Sequence, residues 1–173
     1  MDTIEAGNVS VTRLAEALGA EIAGIDVGRP MSNAAFKQIE DAFREHCVLV
    51  FRNQRLTPEG HAGFSRRFGE LLVHVLRQYN DPQMPEVLVL SNIVENGKPA
   101  GMQDAGQYWH TDLSYTAEPS RCSLLYALEV PDENGVALGD RELRAASAAA
   151  HEAHDGEGLG AVLGPHLAAV LAA

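Results

Sequence analysis

The chain has 173 residues, 46% of them hydrophobic, enough for one globular core of the kind that forms between about 100 and 200 residues, so disorder throughout is excluded. Asp and Glu outnumber Lys and Arg 24 to 13, giving a formal net charge of −11, so neither nucleic acid nor an anionic membrane surface is the expected partner and a small molecule fits better. No run approaches the roughly 18 apolar residues of a membrane span, and MDTIEAGNVS lacks the basic-then-apolar pattern of a secretory leader, which points to the cytoplasm.

Taken in chain order, Gly19 to Asp26 mixes small and apolar residues ahead of the turn-forming Gly28-Arg29-Pro30 and predicts a short strand. Ser32 and Asn33 then offer helix caps. Phe36, Ile39 and Phe43 recur at helical spacing while Lys37, Glu40 and Glu45 face water, so an amphipathic helix is predicted as far as about His46. CVLVF, from Cys47 to Phe51, is apolar without alternation and predicts a strand buried on both faces. Thr57 as cap, Pro58 at the first helical position and Glu59 in the first turn announce a second helix, closed by Gly69, with Phe64 and Phe68 turned to the core.

Glu86 to Asn92 predicts another strand, and Asn96 to Gly106 a long polar excursion of the kind that carries function. Cys122 to Val130 predicts a further strand before Pro131 and Asn134-Gly135 turn the chain. Cys47 and Cys122 lie far apart among strand-like residues and are expected to be buried reduced thiols. Beyond Asp140 the composition shifts to Ala and Gly with no Phe, Tyr or Trp. That tail, residues 141–173, is expected to form one or two Ala-rich helices and to contribute little to a sheet-built core.

The chemistry concentrates at Trp109-His110-Thr111-Asp112, beside the strand-forming Ser114 and Tyr115. On an extended backbone alternate side chains share one face, so His110 and Asp112 point the same way and can act as adjacent metal ligands. Two His and one carboxylate make the facial triad of non-haem iron(II), which leaves positions open for an oxoacid and O2. A surface His beside a solvated Asp is the plain alternative at this spacing. A hydrolase is set aside, since neither Gly-x-Ser-x-Gly nor HExxH occurs.

WHTDLSY, followed by Glu118-Pro119 and CSLLYALEVP, resembles the metal-binding region of the taurine and dichlorophenoxyacetate dioxygenase family. LGAEIAGIDVGRPMS, HCVLVFRNQRLTPEGHAGFSRRFGEL and VLVLSN resemble, in the same order, that family's N-terminal helices and first strands. The resemblance covers about Val9 to Asp140. It implies an α+β fold, a double-stranded β-helix (jelly-roll) with flanking N-terminal helices, here incomplete at its C-terminal end, with residues 1–140 as the dioxygenase part.

It also implies Fe(II) held by His110 and Asp112 and 2-oxoglutarate as co-substrate. With O2, the family's reaction hydroxylates a small, anionic organic substrate while 2-oxoglutarate is decarboxylated to succinate. His74 lies where relatives that take sulfonates use a histidine on the substrate's anion, and the resemblance suggests it as a substrate-binding residue. A half-buried structural role beside Leu72, Val73 and Val75 is the alternative.

The sequence departs from the family pattern in two places. Leu138-Gly139-Asp140-Arg141 stands where the family has Gly-Gly-Asp-Thr, which replaces a hydroxyl that helps to hold 2-oxoglutarate with a guanidinium. The distal Trp-Asp-Asn…His and the following Arg are missing, and Trp109 is the one tryptophan of the chain. His151, His154 and His166 lack that motif's neighbours, and Arg144 has the setting of a solvated arginine. A truncated or frame-shifted enzyme of doubtful activity is therefore expected. The alternative is a non-catalytic half-barrel whose unpaired strand edges associate with a second copy or with a full-length relative.

Overall fold

A computed structural model describes residues 3–103, residue 117, residues 120–128 and the backbone of residues 167–172. Its centre is a five-stranded sheet with two helices on it. Strands β1 (Ser10–Arg13) and β2 (Ala20–Ala23) pair antiparallel, β2 pairs parallel with β3 (Leu49–Phe51), and the order continues through β7 (Leu167–Ala172) to β6 (Cys122–Ala127). The two-stranded hairpin β4 (Val94–Glu95) and β5 (Lys98–Pro99) stands apart from it.

Helix α1 (Asn33–His46) forms where its sequence predicts. The Ser32 hydroxyl accepts from the Ala35 N–H at 3.2 Å, satisfying one of the orphan donors at the first turn. Ala35, Phe36, Ile39, Ala42 and Phe43 are its buried stripe, while the Lys37–Asp41 pair lies on the wet face. At its end Cys47 takes φ +64°, and the Val48 N–H donates to the His46 carbonyl at 2.7 Å. This is the rare γ-turn of positive φ, and it reverses the chain directly into β3.

Helix α2 (Pro58–Ser65) begins at its predicted cap, Thr57, but stops short of Gly69. Arg67 and Phe68 instead donate three residues back, to Phe64 and Ser65, so the last turn tightens. Phe64 and Phe68 still reach the core as expected. All five phenylalanines, 36, 43, 51, 64 and 68, meet there edge to face, with ring centroids 5.0 to 6.4 Å apart. Arg67 lies 4.5 Å over the Phe36 ring and donates to the Met31 carbonyl and to Asn33, tying the end of α2 to the start of α1.

The sheet presents one face to this cluster. Ala20 and Ile22, Leu49 and Phe51, and Cys122, Leu124 and Tyr126 all belong to or pack on it, each set two residues apart as a pleat requires. The parallel register places Ile22 opposite Phe51. Cys47 and Cys122 are free and half-buried. Burial raises both thiols above their ordinary range, Cys122 to about 11, against a smaller opposing effect of Arg121, so both stay protonated at neutral pH.

Three segments differ from expectation. Strand β1 carries no predictive pattern because all four of its residues are exposed. The Glu86–Asn92 segment is not a strand. It makes single bridges to two different segments, Leu88 antiparallel to Asn80 and Leu90 parallel to Met102, so no ladder propagates. At Gly101 a Cβ would lie 2.6 Å from the Val89 carbonyl oxygen, so only glycine lets these backbones close up.

The third is the tail, where Leu167–Ala172 forms a strand instead of a helix and enters the middle of the sheet. Unpaired backbone groups on β3 and β6 offer a ladder on each side, and satisfying them outweighs the helix preference of alanine. Within the polar excursion, Asn96 and Gly97 both carry positive φ, as a tight two-residue hairpin turn demands, and they join β4 to β5.

Candidate functional site

His110 and Asp112 lie outside the described residues, as do Arg141, Arg144, His151, His154 and His166. Among the described residues no group of three or more His, Cys, Asp or Glu side chains is placed to hold a metal ion. What the structure does describe is the strand β6, which follows the WHTD segment in the sequence, and the loop that carries His74.

Strand β6 is fastened at both ends. Arg121, just ahead of it, donates to Glu40 on α1 at 2.6 Å and to the Phe68 carbonyl at 3.4 Å. Near its other end the Tyr126 hydroxyl is bonded to the backbone of Gln54 and Leu56 in the loop between β3 and α2. The Gln54 side chain, 4% exposed, accepts from the Val27 N–H and donates to the carbonyls of Ile25 and Arg52. A buried amide with its bonds satisfied stiffens this end of the sheet.

His74 is half-buried in the loop after α2, and its neighbours Leu72, Val73, Val75 and Leu76 are exposed, Val75 by 83%. Its Nδ1 accepts from the Leu76 N–H at 3.2 Å, and its carbonyl accepts from the Asn80 side chain at 3.4 Å. With Nδ1 engaged as acceptor, the proton of the neutral ring resides on Nε2, which makes that atom a donor.

His61 escaped the sequence reading. With Phe64, Ser65 and Phe68 it follows the i, i+3, i+4, i+7 spacing of a buried stripe, which is the signal that could have found it. Its Nε2 is buried without a hydrogen-bond partner, and its ring centroid is 6.1 Å from that of Tyr126. Burial lowers its pKa, against a smaller opposing effect of a hydrogen bond with the Leu124 backbone. The imidazole is therefore held neutral against β6. A separate groove of about 380 Å³ between β1 and α1, lined by Val9, Val11, Gln38, Asp41, Ala42, Glu45 and His46, contains none of the predicted site residues.

Residues 10–155 match the model of the family described as taurine catabolism dioxygenase TauD, TfdA. The chain belongs to this family. The matched span includes His110 and Asp112 and runs past Asp140 into the Ala- and Gly-rich tail. Pentalenolactone F synthase of Streptomyces avermitilis is 34% identical over 131 residues, which cover 73% of this chain and 43% of that protein. The alpha-ketoglutarate-dependent 2,4-dichlorophenoxyacetate dioxygenase of Cupriavidus pinatubonensis is 30% identical over 126 residues, 67% of this chain and 44% of that protein.

Among solved structures, a taurine dioxygenase from Burkholderia xenovorans aligns with 34% identity over 45% of this chain and 28% of that one, at a TM-score of 0.42. This TauD, TfdA family chain thus spans less than half the length of the relatives it matches. Among the described residues, no helix is long and apolar enough to cross a membrane.

Proposed function

We propose that this chain is part of an iron(II)- and 2-oxoglutarate-dependent dioxygenase that hydroxylates a small anionic organic molecule in the cytoplasm, built on a double-stranded β-helix. The observation that carries the reading is the family match across residues 10–155, which takes in the WHTD segment. His110 and Asp112 would hold the iron, and an imidazole with a carboxylate is a donor set that suits iron(II). When bound, iron and 2-oxoglutarate supply the oxidation, with O2 consumed and succinate and CO2 released.

The chain's own residues bind and orient. His74 would offer Nε2–H to the substrate's anionic head, a charge-assisted hydrogen bond, while its Nδ1 is held by the Leu76 N–H. The exposed Leu72, Val73 and Val75 would meet the substrate's apolar body. Arg121 and Tyr126 fix β6, the strand that follows the WHTD segment in the sequence.

The test is anaerobic addition of Fe(II) and 2-oxoglutarate, followed by visible absorption and then by succinate formation in air. The reading expects a charge-transfer band that His110→Ala and Asp112→Ala each abolish. A spectrum that either substitution leaves unchanged overturns the ligand assignment. No succinate from a chain that forms oligomers would favour a non-catalytic assembly module instead.

A further inference from the structure

The loop that carries His74 is closed by hydrogen bonds of its own. The Leu76 N–H donates to His74 Nδ1 at 3.2 Å, and the Asn80 amide donates to the His74 carbonyl at 3.4 Å. Between them the N–H groups of Tyr79 and Asn80 donate three residues back, to the carbonyls of Leu76 and Arg77. The far end is pinned as well, since the Tyr79 carbonyl accepts from Val89 and the Asp81 N–H donates to Val87. An imidazole held in such a turn is preorganised to meet a ligand.

The same turn carries Arg77, which is exposed. Arginines elsewhere are engaged: Arg66 pairs with Glu86, Arg67 donates to Met31 and Asn33, and Arg44 and Arg121 share Glu40. Among the described residues, the basic side chains with no hydrogen bond, ion pair or ring contact are Arg55, Arg77 and Lys98. Of these, Arg77 alone shares the turn with His74. Asp81, the acid closest to it in sequence, is turned instead to the N–H groups of Gln83 and Met84.

The formal net charge of −11 sets a field that opposes the approach of any anion. A neutral imidazole offers a donor but no charge to offset that field. A guanidinium offers both, and its planar fork matches two oxygens of a carboxylate, sulfonate or sulfate ester. We propose that Arg77 is a second anion-binding residue of this loop, which with His74 selects substrates whose head carries a full negative charge on at least two oxygens. The inference rests on the reading of His74 as a substrate-binding residue and adds the group that supplies the charge.

Nitrogen-15 NMR of the full chain without iron tests it, with methanesulfonate as the probe. The His74 imidazole and Arg77 guanidinium signals should shift along one saturating curve, and dimethyl sulfone, similar in shape but uncharged, should shift neither. Arg77→Gln should weaken the binding read at His74 about tenfold or more, as the loss of a hydrogen bond to a charged group does. Arg77→Lys should fall between, because it keeps the charge and loses the fork. Since Arg77 has no partner to lose, both variants should keep the wild-type urea midpoint. Equal affinity in Arg77→Gln, or different curves at the two side chains, overturns the proposal and leaves His74 as the anion contact; no shift at either removes both. The iron site is judged apart from this, by the absorption band that His110→Ala should abolish.

Discussion

The Tyr126 hydroxyl donates to the Gln54 carbonyl at 3.2 Å and accepts from the Leu56 N–H at 3.1 Å, so one side chain on β6 satisfies two backbone groups in the loop that leads from β3 to α2. Tyr126→Phe keeps the ring and removes both bonds. We expect a loss of about 1–2 kcal/mol, read as a lower urea midpoint at unchanged slope. A midpoint equal to the wild type's would show that water replaces the hydroxyl at no cost.

The phenylalanine cluster sets the largest single-site sensitivity. Phe64 touches Phe36, Phe51 and Phe68 and is 5% exposed, so Phe64→Ala deletes a ring on which α1, β3 and the end of α2 converge. A cost of about 3–5 kcal/mol is expected, enough to consume much of the stability of a small domain. Thermal unfolding followed by circular dichroism measures it. A shift smaller than that of Tyr126→Phe would contradict the packing described.

His61 links stability to pH. Because burial lowers its folded pKa, the unfolded chain binds the proton first, so stability is complete above the ordinary 6.5 and is lost as pH falls through the folded value. His61→Leu should flatten the stability profile just below pH 6.5 and remove a buried nitrogen that has no partner. Denaturant midpoints taken at half-unit steps of pH give the comparison, and parallel profiles for the two proteins would refute the assignment.

Glu40 adds a second window at lower pH. Its hydrogen bond from Arg121 lowers its pKa, burial opposes this, and Arg44 helps, so its contribution is present above the ordinary 4.5 and is lost as pH falls through the lowered value. Glu40→Gln keeps a hydrogen-bond acceptor for Arg121 but has no proton to bind. Its acid unfolding should therefore be less steep than the wild type's below pH 4.5, and an identical acid limb would show the pair to be screened.

His74→Ala probes the substrate reading. If Nε2–H meets an anion, the loss should weaken binding of the anionic substrate by roughly tenfold or more, since hydrogen bonds to charged groups are worth about 1.5–3 kcal/mol. The iron and 2-oxoglutarate absorption should remain. Titration of that band with substrate separates the two effects, and unaltered substrate affinity would return His74 to a structural role.

Much of the frame was legible in the sequence because it is written in local chemistry. Ser32 and Thr57 cap, Pro58 starts, and the spacing of Phe36, Ile39 and Phe43 turns one face inward, all within a few residues of each other. The core strand Leu49–Phe51 was legible for a similar reason, an apolar run of strand length without alternation. The WHTD segment and its neighbours carried the family resemblance, which the match over residues 10–155 bears out. His61 was overlooked although its helical spacing with Phe64 was present, because a buried histidine is recognised by what surrounds it.

The sequence by itself determined the helices, the aromatic core and the family, since caps, periodicity and motif are properties of neighbours along the chain. Tertiary structure alone decided where the backbone ladders close. The exposed residues of β1 have no pattern to read, Glu86–Asn92 makes single bridges to two different segments instead of one ladder, and Leu167–Ala172 becomes a strand against its alanine content. In each case the choice rests on whether distant N–H and C=O groups need partners, and the residues of a segment do not encode the needs of a strand elsewhere in the chain.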